Sequence, residues 1–162
     1  MNFSPTGKPS ITPDGDILII ADTQVIKDAP LDHLHSLARY IWKHKPAHIV
    51  HIGDHWDFES LSFYATQEEK AGRRLVDDLR SGKTALKIIT DYIDTRNRIE
   101  KKKRYTPTLD VSMCNHENRL MRMVGANTHL LGLIDLESMI ERLGWTVHDF
   151  LDPLWIGDIC FN

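Results

Sequence analysis

Three short clusters carry the residue types that could do chemistry: Asp22-Thr23-Gln24, Gly53-Asp54-His55-Trp56-Asp57 and Asn115-His116-Glu117. Carboxylate, amide and imidazole groups brought together suit Mn²⁺, Fe or Zn²⁺ better than a dedicated Ca²⁺ cage. Asp54 is the natural bridge, because a carboxylate can place one oxygen on each of two metals. Two metals roughly 3.5–4 Å apart can hold a hydroxide and clamp both ends of an in-line phosphoryl displacement. Gly53 would let the backbone turn tightly beneath them. A histidine held by a carboxylate can protonate a leaving alkoxide, and His116 with Asp57 fits those roles.

The elements that must position these groups are legible from hydrophobic patterning. The run 47–52, apolar apart from His48 and His51, leads straight into Gly53, a buried strand ending in a sharp turn. The run 16–21 reads as a central strand buried on both faces, ending at Asp22. Between them Leu31, Leu34, Leu37, Ala38, Ile41 and Trp42 recur at helical spacing, with Pro30 at the start and Pro46 as the stop. Strand, helix, strand makes a βαβ unit with parallel strands, so Asp22 and Asp54 share the carboxyl edge of a sheet, where ligands of α/β proteins gather. A third strand, 109–113, brings Asn115, His116 and Glu117 to that edge, and a helix is predicted from Asn118 to a stop at Gly125.

Elsewhere the pattern is plainer. Residues 1–14, with Pro5, Pro9 and Pro13, read as an extended lead-in. Residues 68–104 are helical, with a break or bend at Ser81-Gly82, because glycine costs about 1 kcal/mol inside a helix. The basic tail from Arg96 to Arg104 reads as a solvated face or as a patch that meets phosphates; with it, the helix could cap the site. Asp77 and Asp78 read as solvated helix residues, and His51 as a core histidine. Asp135 caps another helix that ends at Gly144, and 145–150 and 155–161 are two more strands.

Length and composition bound the function. A chain of 162 residues fits one domain, 1–162, with a real core. Hydrophobic residues at 41% and charged residues at 27% exclude wholesale disorder. A net charge of −3 provides no global field to recruit nucleic acid. The first ten residues lack the apolar core of a signal peptide, and no run is long enough to span a membrane. Two cysteines, Cys114 and Cys160, make neither a disulfide framework nor a zinc spacing, so a cytoplasmic location is expected.

Taken together, these residues resemble the calcineurin-like metallophosphoesterase family. Its signature runs Asp-x-His, Gly-Asp-x-x-Asp, Gly-Asn-His-Glu or -Asp, a lone His, then Gly-His-x-His. The second block is matched at Gly53, Asp54 and Asp57, the third at Asn115, His116 and Glu117, and the first at Asp22. The resemblance implies an α-β-β-α sandwich with two divalent metals, Mn²⁺ first among Fe, Zn²⁺ and Ni²⁺. It assigns Asp22 and Gln24 to one metal, Asp54 to the bridge, Asn115 to the other metal, His116 as general acid and Asp57 as its orienting partner. The run through Arg119 resembles phage and bacterial members; Arg119 reads as a phosphate contact or as a surface helix residue, and His55, inside the second block, as a residue bordering the substrate or a structural one. Three features depart from the pattern: Gln24 stands where the family has His, Cys114 replaces a Gly, and neither a later lone His nor a Gly-His-x-His block is found.

Two functions of different class follow. One is hydrolysis of a phosphoric ester, with a nucleic acid, a nucleotide or a phosphoprotein as substrate. The other is a catalytically incomplete fragment or scaffold, completed by a carboxyl-terminal half, a partner chain or self-association through an unfinished sheet. Ser81-Gly82-Lys83-Thr84 is set aside as a phosphate loop, because Asp77 stands where glycine is needed and a helix precedes it.

Overall fold

The expected strand, helix, strand unit forms as β1 (Ile17–Ile20), α1 (Asp32–His44) and β2 (His48–His51). The computed structural model describes residues 15–62, 64–101 and 103–161, so the lead-in predicted over 1–14 lies outside the described residues. Leu34, Ala38, Ile41 and Trp42 are the buried stripe of α1. The helix ends at Lys45, whose backbone turns left-handed (φ 52°) and donates to the Ile41 carbonyl. β1 pairs parallel with β2, Ile17 opposite His48 and Ile20 opposite His51. β3 (Thr108–Ser112) lies parallel on the other side of β2, and β4 (Thr146–His148) lies parallel beyond it. The sheet order is β1-β2-β3-β4.

That order corrects one expectation. Among the described residues β1 is an edge strand, not a central one, and Ile19 is 53% exposed. An aliphatic run shows that a strand is apolar, but not how many neighbours cover it. β2 is the strand buried at every position.

Strand alternation separates two faces. On one, Ile20, Ile49 and Val111 join Ile41 and Trp42 of α1, Leu86, Ile89 and Ile93 of α3 (Leu75–Glu100), Leu120 and Val124 of α4 (Asn115–Ala126), and Leu136 and Ile140 of α5 (Leu136–Glu141) in one core. Each such fully buried aliphatic side chain contributes about 1.5–3 kcal/mol. On the other face, Ile17, Val50 and Ile52 meet Leu154, Ile156 and Phe161. Those three belong to an antiparallel hairpin of β5 (Leu154–Ile156) and β6 (Ile159–Phe161). The single strand expected over 155–161 is therefore two, turned at Gly157-Asp158, with Gly157 at φ 60°. The molecule is mixed α/β, with helices, a four-stranded parallel sheet and a hairpin in successive layers.

The predicted helix over 68–104 resolves into α2 (Gln67–Lys70) and α3. α3 is 26 residues long and uninterrupted, so it extends about 39 Å. Gly82 does not break it. A Cβ there would lie 1.8 Å from the Trp56 indole nitrogen, so glycine serves close approach rather than bending. Asp77 and Asp78 are buried, not solvated. Asp77 accepts from Arg74 at 2.8 Å and has Lys27 at 3.6 Å; Asp78 accepts from both the backbone and the hydroxyl of Ser60. At the other end, Glu100 accepts from the Trp42 indole, and Tyr105 donates to the Pro46 carbonyl just before β2. The basic end of α3 thus lies at the amino edge of the sheet, away from the three polar clusters, and does not cap them. Among the described residues, no helix is long and apolar enough to cross a membrane.

Candidate functional site

Because the sheet is parallel, β1, β2 and β3 deliver their following residues to the same edge. Two of the loops continue to pair past the strands. Gln24 N donates to Asp54 O at 3.0 Å, Val25 N to His55 O at 2.7 Å, and Asp57 N to Val25 O at 3.3 Å. Backbone this closely coupled can hold unusual angles. Asp22 (φ 46°), Gln24 (φ 39°) and Asp54 (φ 52°) are all left-handed. Each such non-glycine residue costs on the order of 1–3 kcal/mol, and strain of this kind collects at functional sites. Gln24 is the least expected, since aspartate and asparagine tolerate this region better than glutamine. Gly53 combines φ 95° with contact: a Cβ there would fall 2.3 Å from that of Cys114.

The third cluster is helical. α4 begins at Asn115, not at Asn118, so Asn115, His116 and Glu117 form its first turn behind Cys114 at the cap. The correction has a local cause: Glu117 at the third helical position reaches back to Cys114 N at 3.2 Å, as in a capping box. The same carboxylate, 1% exposed, also accepts from Asp54 N at 3.1 Å, His55 N at 2.8 Å and Trp56 N at 3.0 Å. One side chain thus holds the whole turn after β2 against the start of α4. Burial pushes the Glu117 carboxyl above its usual range, and these backbone N–H groups oppose that shift. Glu117 three residues after Cys114 is only half of the capping-box pattern, whose cap is normally Ser or Thr, and the reach to the 53–56 turn leaves no mark in the sequence.

His116 is fixed from three sides. Its Nδ1 lies 3.0 Å from both the carbonyl and the Oδ1 of Asp57. Arg119 Nη2 lies 2.9 Å from Nε2, and Arg119 Nη1 donates to the Asp57 carbonyl at 3.1 Å. A guanidinium can only donate, so Nε2 accepts and the ring proton sits on Nδ1. Arg119, expected to meet a phosphate, is here engaged with His116 and Asp57. The His116 backbone N–H donates to Asp54 Oδ1 at 3.2 Å. With its amide nitrogen toward Asp54, Asn115 donates to both carboxylate oxygens at 3.1 Å.

His55, expected to border a substrate, is 1% exposed and cannot do so. Its Nδ1 is 2.7 Å from the Thr23 hydroxyl and its Nε2 is 2.9 Å from the Gly82 carbonyl. His51, also 1% exposed, takes the other side of Thr23 at 3.0 Å through Nε2, and Gly53 N donates to its Nδ1 at 3.2 Å. Burial lowers both rings, His51 to about 3 with the neighbouring His55 adding to the effect, and His55 to about 4. Burial, aided by the charges of Asp54 and Glu117, pushes the Cys114 thiol up, so it packs as a neutral group.

Asp22 and Gln24 are exposed, and neither side chain has a hydrogen bond or ion pair among the described residues. The oxygen donors that the motif assigns to metal are two carboxylates and two amides, Asp22, Asp54, Gln24 and Asn115, with the Asp57 carboxylate engaged by His116. Among the described residues, no three His, Cys, Asp or Glu side chains gather as a metal-binding group. This donor set fits a hard divalent cation of the Mg²⁺ or Mn²⁺ kind, which takes oxygen ligands, better than Zn²⁺ or Ni²⁺, which favour imidazole. No protein-family model, curated protein or solved structure matches the chain.

Proposed function

We propose that this chain carries the catalytic edge of a metal-dependent phosphoric ester hydrolase of the calcineurin-like type, and that its layers belong to an α-β-β-α sandwich. The observation that carries the reading is the coincidence of three strained residues, Asp22, Gln24 and Asp54, with a His116–Asp57 pair at 3.0 Å on the same sheet edge. Asp22 and Gln24 would hold one cation and Asn115 a second, with Asp54 between them; Mn²⁺ is the first choice. A divalent cation there supplies Lewis acidity and lowers the pKa of water to produce a nucleophile at neutral pH.

The chain's own residues do the rest. Asp57 orients the imidazole through Nδ1. Once Arg119 releases Nε2, His116 can carry a proton there and give it to the leaving alkoxide. The freed guanidinium is then within the site to meet phosphate oxygens, for which its planar fork is suited. The substrate class is a phosphoric ester, with nucleotides and nucleic acids as candidates. The basic end of α3 lies at the opposite edge and lends no support to an extended strand over the site.

A second reading has its own observation. β1 has no outer neighbour among the described residues, and Ile19 on it is half-exposed. A complementing chain, or another copy, that pairs there would complete the site, and this chain alone would be an incomplete scaffold. A cytoplasmic location goes with either reading on cysteine usage alone, since Cys114 and Cys160 make no disulfide framework.

The experiment measures Mn²⁺ bound per chain and turnover of a generic phosphodiester. For the hydrolase, turnover requires Mn²⁺ and is lost in Asp54→Ala and His116→Ala, while binding is lost only in Asp54→Ala. Mn²⁺ binding without turnover supports the scaffold. Absence of both from a folded chain refutes the metal site.

A further inference from the structure

We propose that Thr23 is a positioning residue: its hydroxyl, clamped between His51 and His55, sets Asp22 and Gln24 in the backbone conformation in which they would hold a cation. This rests on the metal-site reading above. The geometry is a chain of four hydrogen bonds with one allowed direction. Gly53 N–H can only donate, so His51 Nδ1 accepts and His51 Nε2 carries the proton. That proton goes to Thr23 Oγ1 at 3.0 Å, which leaves the Thr23 hydroxyl to donate to His55 Nδ1 at 2.7 Å. His55 Nε2–H then donates to the Gly82 carbonyl at 2.9 Å, which can only accept. Every polar atom in the chain is satisfied with both rings neutral. Its two ends are rigid, since Gly53 is locked against Cys114 and Gly82 lies inside α3 against Trp56.

Thr23 is the only member of this chain on the β1 loop. It stands between two left-handed residues, Asp22 and Gln24, which have no side-chain partner of their own among the described residues. The hydroxyl is therefore what ties that loop to the buried side of the turn after β2, together with the backbone pairing of Gln24 and Val25. Valine has the shape of threonine without the hydroxyl, whereas serine keeps the hydroxyl.

The test compares wild type with Thr23→Val and Thr23→Ser. Without metal, backbone chemical shifts of Asp22 and Gln24 report whether they stay left-handed; with metal, calorimetry gives Mn²⁺ affinity. Expected are left-handed shifts and affinity within threefold of wild type for Thr23→Ser. For Thr23→Val, the shifts are lost and affinity falls at least tenfold. Unchanged shifts and affinity in folded Thr23→Val overturn the proposal, and so does loss of both in Thr23→Ser. Should Thr23→Val fail to fold, wild type decides. A slowly exchanging Thr23 hydroxyl proton with a cross-relaxation peak to the His51 Nε2 proton supports the clamp, and its absence overturns it. If wild type binds no Mn²⁺ while Thr23→Val still shifts Asp22 and Gln24, the metal reading fails and the clamp stands as a backbone device only.

Discussion

Replacing Glu117 with glutamine isolates the part of the site that a single carboxylate holds together. Oε1 accepts from His55 N at 2.8 Å and Trp56 N at 3.0 Å; Oε2 accepts from Asp54 N at 3.1 Å and Cys114 N at 3.2 Å. In Glu117→Gln the amide oxygen can keep the shorter pair. The NH₂ group then faces two backbone donors that lose their acceptor. Hydrogen bonds to a charged group are worth about 1.5–3 kcal/mol each, so the gross loss is about 3–6 kcal/mol. Removing a buried charge returns part of this, and a net cost of about 3 kcal/mol is expected. For a chain of this length that corresponds to a fall in Tm of about 6–12 °C. Urea unfolding followed by tryptophan fluorescence measures it, because Trp56 is fully buried in the affected turn. The midpoint should fall with the slope unchanged, and amide exchange should accelerate first at Asp54, His55 and Trp56. A Glu117→Gln protein within about 0.5 kcal/mol of wild type, with those amides still protected, refutes the claim that this carboxylate organises the turn; typical surface changes fall in that range.

Two further predictions concern the same buried surroundings. His51 and His55 are held neutral when folded but take up protons near 6.5 when unfolded, so the stability they contribute is full above pH 6.5 and falls as pH drops toward about 4 and 3. Between pH 7.5 and 5.5 each should lose about 1.4 kcal/mol, roughly 3 kcal/mol together; equal unfolding midpoints at the two pH values would contradict this. Gly82→Ala gains about 1 kcal/mol of helix propensity but drives a methyl into Trp56, and overpacking costs about 1–3 kcal/mol or more. A net loss is expected by urea titration, whereas Gly125→Ala, with open space at the Cβ position, should be neutral or stabilising; equal effects at the two sites would show that Trp56 yields freely.

The order of elements and the edge on which the polar clusters meet were legible in the chain. The apolar run before Gly53, the helical stripe from Leu34 to Trp42 and the Asp135 cap are local patterns, and local patterns specify local conformation. Asp22, Asp54 and Asn115 could be assigned to one edge because a strand, helix, strand unit leaves little freedom in strand direction. The pairing of Asp57 with His116 was likewise readable as chemistry, from residue type and motif order.

Tertiary structure decided how those groups are held. Gly82 looked like a helix breaker, and only the Trp56 indole packed against it explains why α3 runs on. Asp77 and Asp78 have the spacing of solvated helix residues, but Arg74, Lys27 and Ser60 surround them. The motif puts His55 beside the substrate, but Thr23 and Gly82 draw it inside. β1 has the composition of a central strand and, among the described residues, sits at the edge. These outcomes depend on partners far away in sequence, such as Glu117 with the 53–56 turn, and no periodicity records such a pairing. What the sequence alone determined is which residues gather at the carboxyl edge of the sheet. Folding decided which of them face outward with strained backbone, and which are buried beneath as the hydrogen-bonded support that makes the strain sustainable.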